Sequence, residues 1–445
     1  MPCCMCEEYG WEDPQAVVFR DLESVKDYCL FHAPVERKGV TVREFNERVA
    51  DRIQAIVDFD DEDVLCDFSG AVFPGNICFM SECNIPWVSF KNAHFLGTVS
   101  VYGCSFESDV DFSDALFLEE VDFQESTFNG TVDFAGAKFF NNAFFEGATM
   151  HGYADFMNSS FLGDVDFYDT TFRDGVAFCH VEFGGKVVFW NTLFSNEVKF
   201  MKTKFSVQGA VFQTIQFEGS VEFTNISTIN KTILSFINCK ISHSEILIQD
   251  CDPRCCDFTM QRDLRNIHFI NSPWDIMGRV KASAEEQEGN LQLVRDFYQR
   301  MKAKYKTENN EYEASKWHVA EKESQLKLLG RKDGSRFLRD VLWLYKYSSG
   351  FGEDPRQAFW VLLMLLVLPL LFLVCIELSN NFVWWGFDHS RIDAVFTEWL
   401  KFIPLTRAAD KNELGLLYAF MVFWQLLITI QTALFVFALR NNFRR

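Results

Sequence analysis

The stretch VDFSDALFLEE VDFQESTFNGT VDFAGAKFFNN, from Val110 to Asn142, is three 11-residue units written head to tail. The unit continues as AFFEGATMHGY, ADFMNSSFLGD, VDFYDTTFRDG, VAFCHVEFGGK, VVFWNTLFSNE and VKFMKTKF, ending at Phe205. Each unit holds two large apolar side chains at alternating spacings of five and six: Phe112 and Phe117, Phe123 and Phe128, Phe134 and Phe139, Phe145 and Met150, then Phe156, Phe161, Phe167, Phe172, Phe178, Phe183, Phe189, Phe194, Phe200 and Phe205. A repeat this strict decides the fold before any other feature is weighed. An 11-residue period also suits a right-handed helical coiled coil. At about 100° per residue, however, helix positions five apart lie roughly 140° from each other and share no stripe. Gly, Asp, Asn, Thr and Val fill the gaps, and these are poor helix formers.

In extended chain, residues i and i−2 share a face. Val110, Val121, Val132, Ala154, Val165 and Val176, or Ala115, Ser126, Ala137, Ser159 and Thr170, therefore bury beside the large residue that follows each. This pattern resembles the pentapeptide-repeat family, in the variant whose units alternate five and six residues around Phe. The resemblance implies a mainly β fold, a right-handed quadrilateral β-helix with four short sides per coil. Degenerate copies at Phe68, Phe73, Phe90, Phe95 and Phe106, and at Phe212, Phe217 and Phe223, extend it to about half the chain. Four sides make one coil of two units, so Phe112, Phe134, Phe156, Phe178 and Phe200 are expected in one column and Phe123, Phe145, Phe167 and Phe189 in the opposite one. Coils about 4.8 Å apart would leave a dry, filled interior with no room for a substrate. After Phe205, SVQGA shifts the register, and the Ile-rich stretch from Ile226 to Ile248 reads as a capping end.

The chain has 445 residues, 48% hydrophobic and 23% charged, a folded composition. Its 49 Phe against 11 Tyr and 11 Trp are what such columns require. Between Asp58 and Glu182 stand 23 acidic residues against Lys91, Lys138 and Arg173, an excess equal to the net charge of −20 of the whole chain. A general nucleic-acid binder neutralises phosphates with Lys and Arg, so no direct nucleic-acid binding is expected. The charge reads as a solubilising coat. The alternatives are a surface for a basic cytoplasmic protein partner, or, as the resemblance implies, a DNA-mimicking acidic rod that binds a DNA-processing enzyme. The opening residues, Met1 to Glu8, carry neither a basic segment nor an apolar one of the secretory kind. Cytosolic, reduced thiols are therefore expected for the 14 Cys.

Cys3 and Cys6 form C-x2-C, and Cys29 and His32 form C-x2-H within DYCLFHAP. Two close pairs of soft ligands joined by a longer loop are what a tetrahedral structural Zn2+ site needs, with Cys4 an alternative to Cys3. The segment also resembles the Cys/His knuckle and YC-x-FHAP sequence that precede the repeats in bacterial membrane-associated pentapeptide proteins. Thr41 to Val57 has a helical apolar stripe and a Thr41/Glu44 capping box. That helix is expected to cover the open edge of the first coil.

Beyond Pro273 the chain turns charged and helical. Leu291, Val294, Tyr298, Met301 and Tyr305 follow helical spacing, Asn309 and Asn310 break it, and a second helix runs from about Glu311 to Leu329. The pair resembles the TPR-like hairpin of the same bacterial group, and His318, Glu321 and Glu323 read as a solvated helix face. The stretches 357–376 and 414–439 carry no charge, and each is long enough to cross a bilayer. Basic residues flank the outer ends of both spans, from Lys327 to Arg356 and from Arg440 to Arg445, which puts both termini in the cytoplasm. The domains expected are a zinc-knuckle-like module with capping helix (1–57), the β-helix (58–272), a helical hairpin (273–330), a juxtamembrane interfacial helix (331–356) and a two-helix transmembrane domain (357–445) with an external loop (377–413).

Gln425, Thr429 and Thr432 fall on one stripe of the second span, as pore-lining or helix-packing groups, with Gln431 on another side. The loop holds Trp384, Trp385 and an amphipathic stretch from Asp393 to Phe402. Span, loop helix and span together resemble a degenerate two-helix ion-channel domain, but without a TVGYG-type filter K+ selectivity does not follow. There is no Ser-His-Asp set, phosphate loop, HExxH motif or carboxylate pair with a site around it, so an enzyme is not expected. The expected function is a protein of the bacterial inner (cytoplasmic) membrane, in contact with lipid and with copies of itself. Its cytoplasmic β-helix would recognise or assemble, coupled to an oligomeric membrane part that, by analogy, permeabilises the membrane as a stress or phage-defence effector. The alternative is a static membrane-anchored scaffold.

Overall fold

A turn every five or six residues leaves room only for very short strands. The computed structural model describes residues 3–12, 15–58, 64–79, 84–206, 208–228, 234–241, 244–252, 255–272, 291–330, 336–380, 389–404 and 415–444. In it two-residue strands such as Val110–Asp111 and Leu116–Phe117 alternate with tight turns. Val110 pairs in parallel with Val88 on one side and Val132 on the other, and this offset of one full coil repeats along the stack. Among the described residues this gives four parallel sheets of 8, 10, 8 and 9 strands, one for each side of a β-solenoid.

The core is a set of phenylalanine columns. Phe112, Phe134, Phe156, Phe178 and Phe200 stack with ring centroids 4.9–5.1 Å apart, and Phe68, Phe90 and Phe223 prolong the column. Phe123, Phe145, Phe167 and Phe189 stack at 4.8–4.9 Å and continue through Phe212, Phe236 and Phe258. Edge contacts join the two, as between Phe112 and Phe123 at 5.8 Å, the arrangement ring quadrupoles favour. Phe117, Phe139, Phe161, Phe183 and Phe205 make a third column. In the fourth, Met150 takes the place of Phe between Phe128 and Phe172. The small inward residues are closed off too: Thr170 and Thr192 donate their hydroxyls to the carbonyls of Phe145 and Phe167.

Much of the acidic pattern has a backbone task. In each V-D-F unit the Asp carboxylate accepts the N–H two positions on, Asp111 from Ser113 at 2.7 Å and Asp133 from Ala135 at 2.7 Å. The next residue then takes a left-handed φ, as at Asp114, Gly136 and Asp169, and the corresponding Asn158 and Asn191 of the ADF and VVF units do the same. Asp, Asn and Gly tolerate that conformation best, which explains their recurrence at this point of the unit.

The solenoid does not end in a cap at Ile226–Ile248. Those residues belong to further coils, in which the spacing between partners lengthens, as Val198 pairs with Val221, Ala210 with Leu234 and Val221 with Ile246. The extra residues fall between strands and leave the pairing intact, which runs on to Ile267–Ile270.

At the other end, helix α1 (Cys4–Tyr9), a two-stranded antiparallel hairpin (Val17–Asp21 with Lys26–Cys29) and helix α2 (Val42–Val57) close the first coil. The Thr41/Glu44 capping box forms at the start of α2. Phe45, Val49 and Ile53 of α2 are buried, Phe45 edge-on to Phe73 of the first coil. The Phe31 carbonyl accepts from the Val72 N–H, the bond an additional coil would have made. An exposed β edge is thereby covered.

The second unit is helical. Helices α3 (Leu291–Thr307) and α4 (Glu311–Gly330) pair around the buried Trp317, which contacts Phe297 and Tyr298 at 5.7 Å. Glu321 is buried rather than solvated, because its carboxylate faces Lys302 of α3 across the pair. Helix α5 (Arg336–Ser349) follows, exposing Phe337, Trp343, Leu344 and Tyr347, and Lys346 pairs with Glu323 of α4 at 2.8 Å. Helices α6 (Pro355–Asn380) and α8 (Gly415–Phe443) are long and apolar enough to cross a membrane, and most of their surface faces outward. Helix α7 (His389–Leu400) lies between them in sequence; Trp384 and Trp385 fall outside the described residues.

Candidate functional site

The first turn of α1 brings Cys3 and Cys6 onto one side, and the end of the second hairpin strand presents Cys29, with His32 in the turn that follows. His32 Nδ1 lies 3.5 Å from Cys3 Sγ, 3.6 Å from Cys6 Sγ and 3.2 Å from Cys29 Sγ, and the sulfurs of Cys6 and Cys29 are 3.8 Å apart. All four ligand atoms fall within 4.8 Å of one another and all four residues are buried, so this group could hold a metal ion. Cys4, the next position along the helix, stands outside this group and is only half-buried.

The surroundings orient the ring. His32 Nε2 donates to the Ser69 carbonyl at 2.9 Å, so in the neutral ring Nδ1 is the nitrogen without a proton, and it faces the sulfurs. Trp11 Nε1 donates to the same carbonyl at 3.2 Å, and the Trp11 and Tyr9 rings cover the imidazole at 4.8 and 6.1 Å. Ser69 belongs to the first coil, so the ligand cluster and the solenoid end are one packed piece. As thiols and imidazole alone, the four groups are in electrostatic conflict. Hydrogen bonds from Cys29 and Cys6 pull the Cys3 thiol far below its ordinary range, while those from Cys29 and Cys3, with burial, drive Cys6 far above. Burial opposes a charge on His32, yet its sulfur contacts with Cys29 and Cys3 outweigh that and raise it to about 9.

Within the chain the polar residues of α8 make separate contacts. Gln425 Nε2 donates to the Lys401 carbonyl just beyond α7, at 2.6 Å, because the end of that helix needs a donor. Thr429 and Thr432 donate to carbonyls one turn back in their own helix, Gln425 and Ile428, both at 2.8 Å, and their side chains lie exposed. The residue that ties the helices together is Gln431. Its Nε2 donates to the Ser348 carbonyl at 2.8 Å and the Ala358 carbonyl at 2.9 Å, and the side chain is buried. Two further bonds lie near Pro369, which has no N–H for the Leu365 carbonyl one turn before it. Trp424 Nε1 donates to Leu365 at 2.9 Å and Trp399 Nε1 to Leu366 at 2.7 Å.

Glu353, in the turn between α5 and α6, joins the hairpin to the apolar helices. Its carboxylate accepts from Ser315 of α4 at 2.8 Å and from Asn441 near the end of α8 at 3.3 Å. The turn has three consecutive left-handed residues, Gly350, Phe351 and Gly352. Only the middle one carries a side chain, and it is buried. A polar amide in an apolar run and a Pro ahead of Trp were the sequence signals for these ties, but neither named its partner.

Parallel two-residue strands, a four-sided coil and continuous Phe columns define the first unit as a β-solenoid. Residues 81–127, 112–158 and 145–193 match the family described as Pentapeptide repeats (9 copies). The match spans about a quarter of the chain, and over that span the solenoid is built of pentapeptide repeats. No curated protein and no solved structure matches the chain.

Proposed function

We propose that this chain is a non-enzymatic recognition protein held at the cytoplasmic face of a bacterial inner membrane, with Zn2+ fastening the closed end of its solenoid. The observation that carries the reading is the filled core: rings occupy the interior from Phe68 to Phe258, so binding has only the outer surface to use. One corner of that surface exposes Leu118, Phe140 and Leu162 on successive coils, beside Glu119, Glu120 and Asp164. An apolar ridge edged with carboxylates suits a basic, amphipathic protein partner better than it suits a DNA mimic, whose charge would have to follow a phosphate pattern. Zinc is supported by spacing. Tetrahedral arms of about 2.3 Å to sulfur and about 2.0 Å to nitrogen set ligand atoms about 3.5–3.8 Å apart. Four of the six ligand-pair distances here run from 3.2 to 3.8 Å, and all six lie within 4.8 Å.

Helices α6 and α8 are the membrane anchor in this reading, and the exposed Thr429 and Thr432 favour contact with a second copy. The bond from Gln425 to Lys401 favours a packed hairpin over a wet pore. Glu353 and the Lys346–Glu323 pair would pass strain from the hairpin of α3 and α4 to the anchor. The test is carbonate extraction of membranes, followed by ion efflux from liposomes holding the full chain. Retention in the pellet with tight liposomes is expected; release by carbonate, or a steady leak, overturns the reading.

A further inference from the structure

Three cations near the end of α8 face one cavity, and none has an acidic partner among the described residues. The cavity, about 220 Å³, is lined by Lys306 from the end of α3, His318 from α4, Arg440 from α8 and Arg444 just beyond it, with Glu311 and Glu353 the acidic members. Glu353 is already committed to Ser315 and Asn441 on the cavity wall. Glu311 is exposed at the mouth. Arg440 rests on the Phe437 ring, 4.8 Å from its centroid, which holds the guanidinium in place without neutralising it. Lys306, Arg440 and Arg444 are exposed side chains that converge on this open cavity, and cations so grouped suit an anion.

Beside the cavity the surface changes character. Val436 and Phe437 are exposed one turn before Arg440, and the apolar wall of α8 continues from them. A ligand that fits both parts has an anionic head and apolar tails. We infer that the cavity binds the phosphate of an anionic membrane lipid, with Lys306, Arg440 and Arg444 around the phosphate and the acyl chains along α8. The basic residues at the end of α8 thereby become a site and not merely a flanking charge. The inference rests on the membrane reading above. It adds that the hairpin of α3 and α4, which supplies Lys306 and His318, is held against the anchor partly by a lipid.

The probes are phosphatidylglycerol, phosphatidylcholine and free glycerol phosphate, added to the full chain in mild detergent and read by native mass spectrometry. Lys306→Gln with Arg440→Gln removes two charge-assisted phosphate contacts and should lower phosphatidylglycerol retention at least about tenfold. Wild type should retain that lipid well above phosphatidylcholine. Equal retention of the two lipids, or no loss in the double variant, overturns the proposal. Glycerol phosphate that displaces the lipid and binds as tightly overturns the lipid assignment in favour of a soluble phosphate. Both proteins should float with phosphatidylcholine vesicles, since the anchor does not use the site. Failure of both to float refutes the membrane reading alone, because glycerol phosphate still reports on the cavity.

Discussion

Replacing Phe156 by Ala tests the column architecture where it is most regular. Phe156 is fully buried, stacked at 5.0 Å on both Phe134 and Phe178, and edge-on to Phe145 and Phe167 at 5.9 and 6.0 Å. The substitution removes buried ring surface and leaves a void of about 100 Å³, which at about 24 cal/mol per Å³ adds roughly 2.4 kcal/mol to the lost transfer energy. The void cannot close, because the coils above and below are held by parallel pairing of Ala154 with Val132 and Val176. A total of about 3–5 kcal/mol is expected. In a solenoid, each coil answers chiefly to its neighbours. Hydrogen exchange on the full chain should therefore show protection falling about two to four orders of magnitude over the coils around 134–178, with little change around 88–95. Uniform loss along the whole solenoid, or wild-type protection near Phe156, would refute the reasoning.

Ser159 is buried with its hydroxyl unpartnered, at a position where Ala137 and Ala115 stand one and two coils earlier. Ser159→Ala should raise stability by about 1–2 kcal/mol in thermal melts, and a loss of stability would show a partner that the structure lacks. Cys29→Ser should abolish stoichiometric metal in elemental analysis of the full chain and loosen exchange at Trp11, Ser69 and α2, whereas Cys4→Ser should leave both unchanged. Trp424→Phe removes the donor to Leu365 and should destabilise the α6–α8 pair by about 0.6–2 kcal/mol in detergent unfolding, with the far-ultraviolet spectrum preserved.

The columns were legible because period and face are the same information in extended chain: once Phe112 and Phe134 stand one four-sided coil apart, their stacking follows. The same logic failed from Ile226 to Ile248. Insertions between strands broke the period there without breaking the pairing, so a fixed spacing could no longer find the partners. The Cys/His spacing pointed to the four ligands, and the Thr41/Glu44 box to α2, because both are local. The roles of Gln431 and Trp424 were hidden. Their carbonyl partners, Ser348, Ala358 and Leu365, lie far back in the chain, and an amide or indole in an apolar span looks alike whether it packs, wets a pore or repairs a backbone.

The central claim is that α6 and α8 hold the solenoid on the cytoplasmic side of a membrane, and two exposed thiols read it directly. Cys78 is exposed on the solenoid and Cys375 on α6. A charged, membrane-impermeant maleimide, mapped by peptide mass spectrometry, should label Cys78 in inverted inner-membrane vesicles but not in intact spheroplasts. Cys375 should stay unlabelled in both until detergent is added. Labelling of Cys78 from the outside, or of Cys375 in sealed membranes, would contradict the account.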